Sequence, residues 1–282
     1  MSTGKPISGH TTLIPHIGYP TETFKAPLIY NPWFAVRGID TIVVPMACAA
    51  DDYEALLKPL FRVRNVIGAL ITMPHKVSTV AMLDERSVAV EIAGSCNAIL
   101  KRPDGGLAGD MFDGVGYTRG AKRRGFEFRG ARVLVVGAGG VGSAIAASIA
   151  AERAGEIALH DVDVHAAEAL AQRLSRHYPA LAVRVTSSDP AGYDMVVNAT
   201  PLGMKDGDPL PVDVARLSPR TFVGEVVMKQ EMTPLLRAAS ARGCPYQVGT
   251  DMLFEQIPAY LEFFGFPSTT PEELRAIARV SY

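Results

Sequence analysis

Two segments of this chain carry side chains whose chemistry can be paired. Residues 70–76 read L-I-T-M-P-H-K and end on Lys76; residues 109–116 read G-D-M-F-D-G-V-G and hold Asp113. Oxidising a secondary alcohol requires a group that accepts the hydroxyl proton as hydride leaves. It also requires a partner that sets that group's charge and position. A lysine can do the first in a partly desolvated cleft, and a carboxylate can do the second. Each also has a structural alternative. Lys76 could be a solvated lysine at a strand end, and Asp113 could be the N-cap of the helix that follows. His75, beside Lys76, could be a second catalytic group or a packing residue.

Residues 133–136, V-L-V-V, lead into Gly137-Ala138-Gly139-Gly140-Val141-Gly142, a G-x-G-x-x-G turn followed by an Ala-rich helical stretch. In this context the first Gly permits a tight turn and the second lets backbone approach a pyrophosphate. The third allows close helix–strand packing, and the helix N-terminus offers N–H groups to phosphates. Asp161 follows the next strand, with no Arg beside it. A carboxylate there can accept from ribose hydroxyls and would repel a 2′-phosphate, so NAD is expected over NADP. Asp161 or Asp163 could instead cap the helix starting near His165.

These groups need a scaffold. Apolar runs at 12–17, 41–44 and 66–72 alternate with helix-like stretches at 28–36, 53–61 and 77–83, which predicts a mostly parallel sheet faced by helices. Residues 96–100 and 106–109 read as a hairpin. A Gly-rich connecting helix is expected over 113–124. A second series follows: strands at 132–136, 157–160, 181–185, 195–197 and 221–227, and helices at 143–153, 165–177, 234–242, 251–264 and 271–280. The fold class is therefore α/β with two domains. Periodicity leaves open whether the last helices return to the first domain.

The composition agrees. An apolar fraction of 48% in 282 residues can bury a core, which argues against disorder. With 28 Lys+Arg against 29 Asp+Glu, nothing favours nucleic acid or an anionic membrane. Three cysteines without CxxC spacing argue against a disulfide framework or a zinc site, and no metal is expected. Residues 1–6 carry no apolar leader, and no stretch is suited to crossing a bilayer, so a cytoplasmic protein is expected.

Further motifs make the chain resemble the shikimate dehydrogenase family, which includes quinate/shikimate dehydrogenases. They are T-x-P-x-K at 72–76, A-G-S-C-N at 93–97, D-G-x-G at 113–116 and G-A-G-G-x-G at 137–142. N-A-T-P-L-G-M at 198–204, T-P-L-L at 233–236 and the segment 249–256 continue the likeness. The resemblance implies a discontinuous substrate-binding domain, 1–114 plus 251–282, around a Rossmann-type cofactor domain, 115–250. It implies that Lys76 and Asp113 are the catalytic pair and that Thr72, Asn97 and Gln256 meet the substrate. It places Asn198, Thr200, Met204, Val226, Gly249 and Met252 near the cofactor. The partners implied are a small-molecule substrate and, for assembly, a monomer or homodimer.

The chain departs from the family's pattern on one side of the site. Phe24 and Ala26 stand where the family usually has two serines for the substrate carboxylate, and Leu70, Met111, Phe112 and Met228 replace usual polar or aromatic residues. The hydroxyl-handling residues are kept while the carboxylate end is rebuilt, which predicts retained chemistry on an altered substrate. A quinate or aminoshikimate-like dehydrogenase is one alternative, and a dinucleotide-binding sensor without turnover is another.

Overall fold

The computed structural model describes residues 6–205 and 207–279. The chain divides into two compact units: Met1–Val90, Ser95–Met111 and Ile257–Tyr282 form one, and Glu91–Gly94 with Phe112–Gln256 the other.

The first unit carries β1 (Thr12–Gly18), α1 (Ala26–Arg37), β2 (Thr41–Ala47), α2 (Ala50–Leu60), β3 (Gly68–Ile71) and β4 (Glu85–Arg86). After α3 (Val88–Ala93) come β5 (Ala98–Lys101) and β6 (Leu107–Asp110). The sheet order is β2-β1-β3-β5-β6-β4. β1 is parallel to both β2 and β3, whereas β5 is antiparallel to β3 and to β6, as the expected hairpin requires. α1 buries Ile29, Tyr30, Trp33 and Phe34, the spacing of one helical face, and ends at Gly38, whose φ of 67° suits a residue without Cβ. Asn31 on α1 bonds the edge strand at both Val43 N and Val43 O, which fixes helix against sheet.

The expected helix at 77–83 is instead a 3-10 turn, Ser78–Met82. The hydroxyls of Ser78 and Thr79 both donate to the His75 carbonyl and so compete with regular helical bonding.

The second unit comprises α4 (Asp113–Arg123), β7 (Arg132–Val136), α5 (Gly140–Ala151), β8 (Glu156–His160), α6 (Val164–His177) and β9 (Ala182–Val185). It continues through β10 (Met195–Asn198), β11 (Phe222–Glu225), α7 (Pro234–Ala241) and β12 (Tyr246–Gln247). α8 (Gly249–Phe263) contributes residues to both units. All six strands are parallel, in the order β12-β11-β10-β7-β8-β9. The order reverses between β7 and β10, the arrangement of a Rossmann-type sheet. The core strands and α5 are almost wholly buried, which is why 133–136 and 195–197 read as continuous apolar runs.

α9 (Pro271–Ile277) lies against α1 in the first unit. Trp33 Nε1 donates to Thr269 Oγ1 at 3.1 Å, and Arg37 pairs with Glu273 at 2.7 Å. The C-terminal chain thus returns to the first unit. The expected end of that helix, Val280, and the segment 1–5 lie outside the described residues. Among the described residues, no helix is long and apolar enough to cross a membrane, and no group of three or more His, Cys, Asp or Glu is placed to hold a metal ion.

Candidate active site

The strand ends of the first unit position Lys76. β1 and β3 run side by side, with His16 opposite Leu70 and Ile17 opposite Ile71. Thr72 N donates to Ile17 O at 2.9 Å, and the turn closes with His75 N donating to Thr72 O at 3.0 Å. Cys96 N then donates to the Lys76 carbonyl at 2.8 Å, so the backbone that carries the lysine is held from two sides. The Lys76 and Thr72 side chains are half-buried. Asn97 is buried beside this anchor; its N–H donates to Asp110 O and its carbonyl accepts from Ile71 N. Lys76, Thr72 and Asn97 therefore gather at one end of one sheet.

His75 turns away from the site. Its ring is buried, stacks on Tyr53 at 3.9 Å and places Nε2 2.8 Å from the Cys48 carbonyl. These contacts are those of a packing residue.

Two other aromatic groups complete the wall beside Lys76. The Phe24 and His16 rings stack with centroids 4.1 Å apart. His16 Nδ1 is enclosed and has no hydrogen-bond partner. Burial first, and the Lys76 charge second, lower the imidazole pKa to about 4, so at neutral pH His16 is uncharged. Gly18 allows this closure: a Cβ there would lie 2.4 Å from the Thr72 methyl and 2.8 Å from the tip of Phe24. The sequence reading missed His16, although a histidine inside the apolar run 12–17 was the available signal.

In the second unit, Asp113 is the first residue of α4 and is buried; Phe112, not Asp113, occupies the N-cap position. A carboxylate in the first helical turn is favoured by the helix dipole. Gln256 on α8 packs against α4 at Gly116, where a Cβ would come within 2.8 Å of the Gln256 Cβ. Gln256 Oε1 is buried with no hydrogen-bond partner, an acceptor left for a ligand or a water.

The glycine turn meets the 198–204 segment at the sheet's switch point, because Val136 pairs with Asn198. Gly137 has φ 107°, and a Cβ there would lie 2.8 Å from the Ala199 carbonyl carbon. A Cβ on Gly142 would lie 1.9 Å from Gly137 O, whereas one on Gly139 would meet nothing within 4 Å. The third glycine is thus required by packing, and the second leaves open space. α5 starts at Gly140 without a side-chain cap, so its first N–H groups remain available to an anion. Residues Gly137, Ala138, Gly139, Gly140, Val141 and Gly142 therefore fit a dinucleotide pyrophosphate.

Asn198 organises the adjoining loop. Its Oδ1 accepts from Thr200 N at 3.1 Å and Thr200 Oγ1 at 2.6 Å, and its Nδ2 donates to Leu202 O at 3.0 Å. Met204 is exposed, Val226 is half-buried, and Met252 is buried in the core of this unit. Gly249 lies so close to Val227 O that a Cβ would come within 2.1 Å.

Glu225, also missed in the sequence, is fully buried at the end of β11 beside Asn198. Its Oε2 accepts from Thr233 Oγ1 at 2.9 Å, and Thr233 in turn caps α7. Burial raises its pKa to about 7, while Thr233 and Asn198 favour the charged form. Even so, Oε1 has no hydrogen-bond partner. A carboxylate within the apolar run 221–227 was the sign.

The sequence profile of the shikimate dehydrogenase substrate binding domain matches residues 16–99. The chain is similar to the shikimate dehydrogenase (NADP(+)) of Acidiphilium cryptum, with 34% identity over 96% of this chain and 98% of that one. Its counterpart from Rhodospirillum rubrum is 31% identical, covering 96% and 98%. Among solved structures, it is similar to shikimate 5-dehydrogenase from Listeria monocytogenes in complex with shikimate and NAD, with a TM-score of 0.90, 27% identity and coverage of 97% and 98%.

These relatives correct the expected preference for NAD over NADP: both curated dehydrogenases are named for NADP(+). The structure supplies a physical reason to read Asp161 differently. Its Oδ2 accepts from Ala138 N at 2.6 Å and its Oδ1 from Asp163 N at 2.9 Å. Oδ2 thus ties the glycine turn to the end of β8 while Oδ1 braces the local turn to Asp163, the residue that caps α6.

Proposed function

The chain belongs to the shikimate dehydrogenase family, and from that premise we propose that it transfers hydride reversibly between NADP and a ring secondary alcohol of the shikimate/quinate type. It is a nicotinamide-dependent oxidoreductase acting on CH–OH groups. The observation that carries the reading is the switch point, where the glycine turn and the Asn198–Thr200 loop adjoin.

When bound, the nicotinamide supplies the acceptor or donor of hydride. The chain's own residues handle the proton and the geometry. Lys76 Nζ takes the hydroxyl proton as the alcohol is oxidised and returns it in reduction, and Asp113 balances and orients the lysine. Thr72, Asn97 and Gln256 contact the substrate. Residues 137–142 cradle the pyrophosphate, and Asn198, Thr200, Met204, Val226, Gly249 and Met252 border the cofactor. The first compact unit serves as the substrate-binding domain and the second as the cofactor domain; the expected bounds, 1–114 plus 251–282 and 115–250, differ from these units at 91–94, 112–114 and 251–256. The protein acts as a monomer or homodimer in the cytoplasm.

The test follows NADPH absorbance with shikimate, quinate and their 3-dehydro ketones. Lys76→Ala should lower kcat at least about a hundredfold while NADP binding by calorimetry stays within a factor of about two. Equal turnover by wild type and variant would remove Lys76 from the mechanism.

A further inference from the structure

The wall beside Lys76 has a chemical character of its own. His16 and Phe24 form one stacked aromatic pair, and both rings are half-buried, so part of that surface remains open. The tip of Phe24 and the Thr72 methyl close over Gly18. Next to this surface stands Lys76, whose charge acts on His16 and whose backbone carbonyl accepts from Cys96 N, while Asn97 is buried at the same end of the sheet. His16 is neutral at physiological pH and contributes no charge, so the positive charge it senses is that of Lys76.

A carboxylate pressed on this surface would lose water and meet a phenyl ring and an uncharged imidazole, not charge-assisted donors. Its attraction to Lys76 would occupy the ammonium protons and compete with the hydroxyl that the lysine must serve. An uncharged hydroxylated molecule incurs neither penalty. Its C–H face rests on the Phe24 ring while a hydroxyl reaches Lys76.

We propose that the substrate of this chain is an uncharged polyhydroxylated ring alcohol or its ketone, like shikimate and quinate in its ring hydroxyls but without their carboxylate charge, and that Phe24 and His16 are the residues selecting it against carboxylates. This inference rests on the dehydrogenase reading for its chemistry, but the wall's preference can be measured by binding alone.

The experiment compares shikimate with its methyl ester, which share a ring and differ in charge. Calorimetry on the NADP-loaded protein gives affinity, and NADPH formation gives kcat/KM. The ester should exceed the acid by at least about tenfold in both, and Phe24→Ser should reduce that ratio at least about threefold by restoring a hydroxyl donor. His16→Ala should weaken ester binding without changing NADP affinity. Should Phe24→Ser fail to fold, the wild-type ratio still decides. If the acid binds as well as the ester or better, the inference is overturned even where dehydrogenase activity is found. If neither binds at millimolar concentration, it is also overturned. If the ester binds more tightly and neither compound is turned over, the selective wall stands and the dehydrogenase reading falls.

Discussion

Replacing Glu225 with Gln should make stability less sensitive to pH, in a calculable direction. In the folded chain burial raises this carboxyl from 4.5 to about 7. The native state therefore holds a proton, between those two values, that the unfolded chain has released. Stability falls as pH rises wherever the native state binds more protons. The contribution is full below the unfolded value and is lost by the time pH passes the folded one. A shift of this size corresponds to about 3 kcal/mol at most. Gln keeps the shape and can still accept from Thr233, but it cannot ionise.

The assay is urea unfolding of wild type and Glu225→Gln at several values from about pH 5 to about pH 8, followed by a probe within the second unit. The stability of Gln relative to wild type should increase by roughly 2–3 kcal/mol across that range, most steeply near the middle. A difference that stays constant with pH would show that Glu225 does not titrate there. A wild type that gains on the variant as pH rises would mean the carboxylate is stabilised in its charged form, and would refute the burial argument.

The two glycines of the turn should separate folding from binding. Gly142→Ala, whose Cβ would lie 1.9 Å from a backbone oxygen, should destabilise by about 1–3 kcal/mol in thermal melts. Gly139→Ala, facing open space, should alter stability by less than about 0.5 kcal/mol yet weaken NADP at least about tenfold by calorimetry. Asp161→Ala removes the acceptor of two backbone N–H groups. It should lower stability by about 1 kcal/mol and weaken NAD and NADP by similar factors, since it loosens the turn both would use. His75→Phe retains the stack on Tyr53 but loses the contact with Cys48 O. It should cost about 1–2 kcal/mol of stability and leave the kcat of the folded enzyme unchanged. A large fall in kcat would return His75 to the mechanism.

Much of the fold was readable because its signals are local. The glycine turn, the strand before it and the helix after it share one stretch of chain, and the antiparallel hairpin near residue 100 has its turn residues at hand. The C-terminal return was readable only through family resemblance, since the Trp33–Thr269 and Arg37–Glu273 contacts join distant segments. Among the described residues, the elements missed were β4 and β12, at two residues each, α3, and the 3-10 turn Val214–Arg216. Such short pieces carry no period. At the Lys76 wall, the motif around the lysine was visible, but Phe24, whose ring stacks on His16, was visible only as an apolar substitution.

The sequence by itself determined the α/β class and the strand–turn–helix context of the glycine turn, and it offered Lys76 and Asp113 as candidates for proton transfer. Residue type and nearest-neighbour spacing are sufficient for these. Only tertiary structure decided what several of those side chains do. Asp161 looked free to read a ribose until the fold brought Ala138 N within 2.6 Å of it. His16 became a neutral group because Phe24 and Lys76 arrive from other segments. Glu225 became a buried acid because β10 and α7 close around it. Hydrogen-bond occupancy and desolvation depend on neighbours remote in sequence, and those neighbours are set by strand order and crossover.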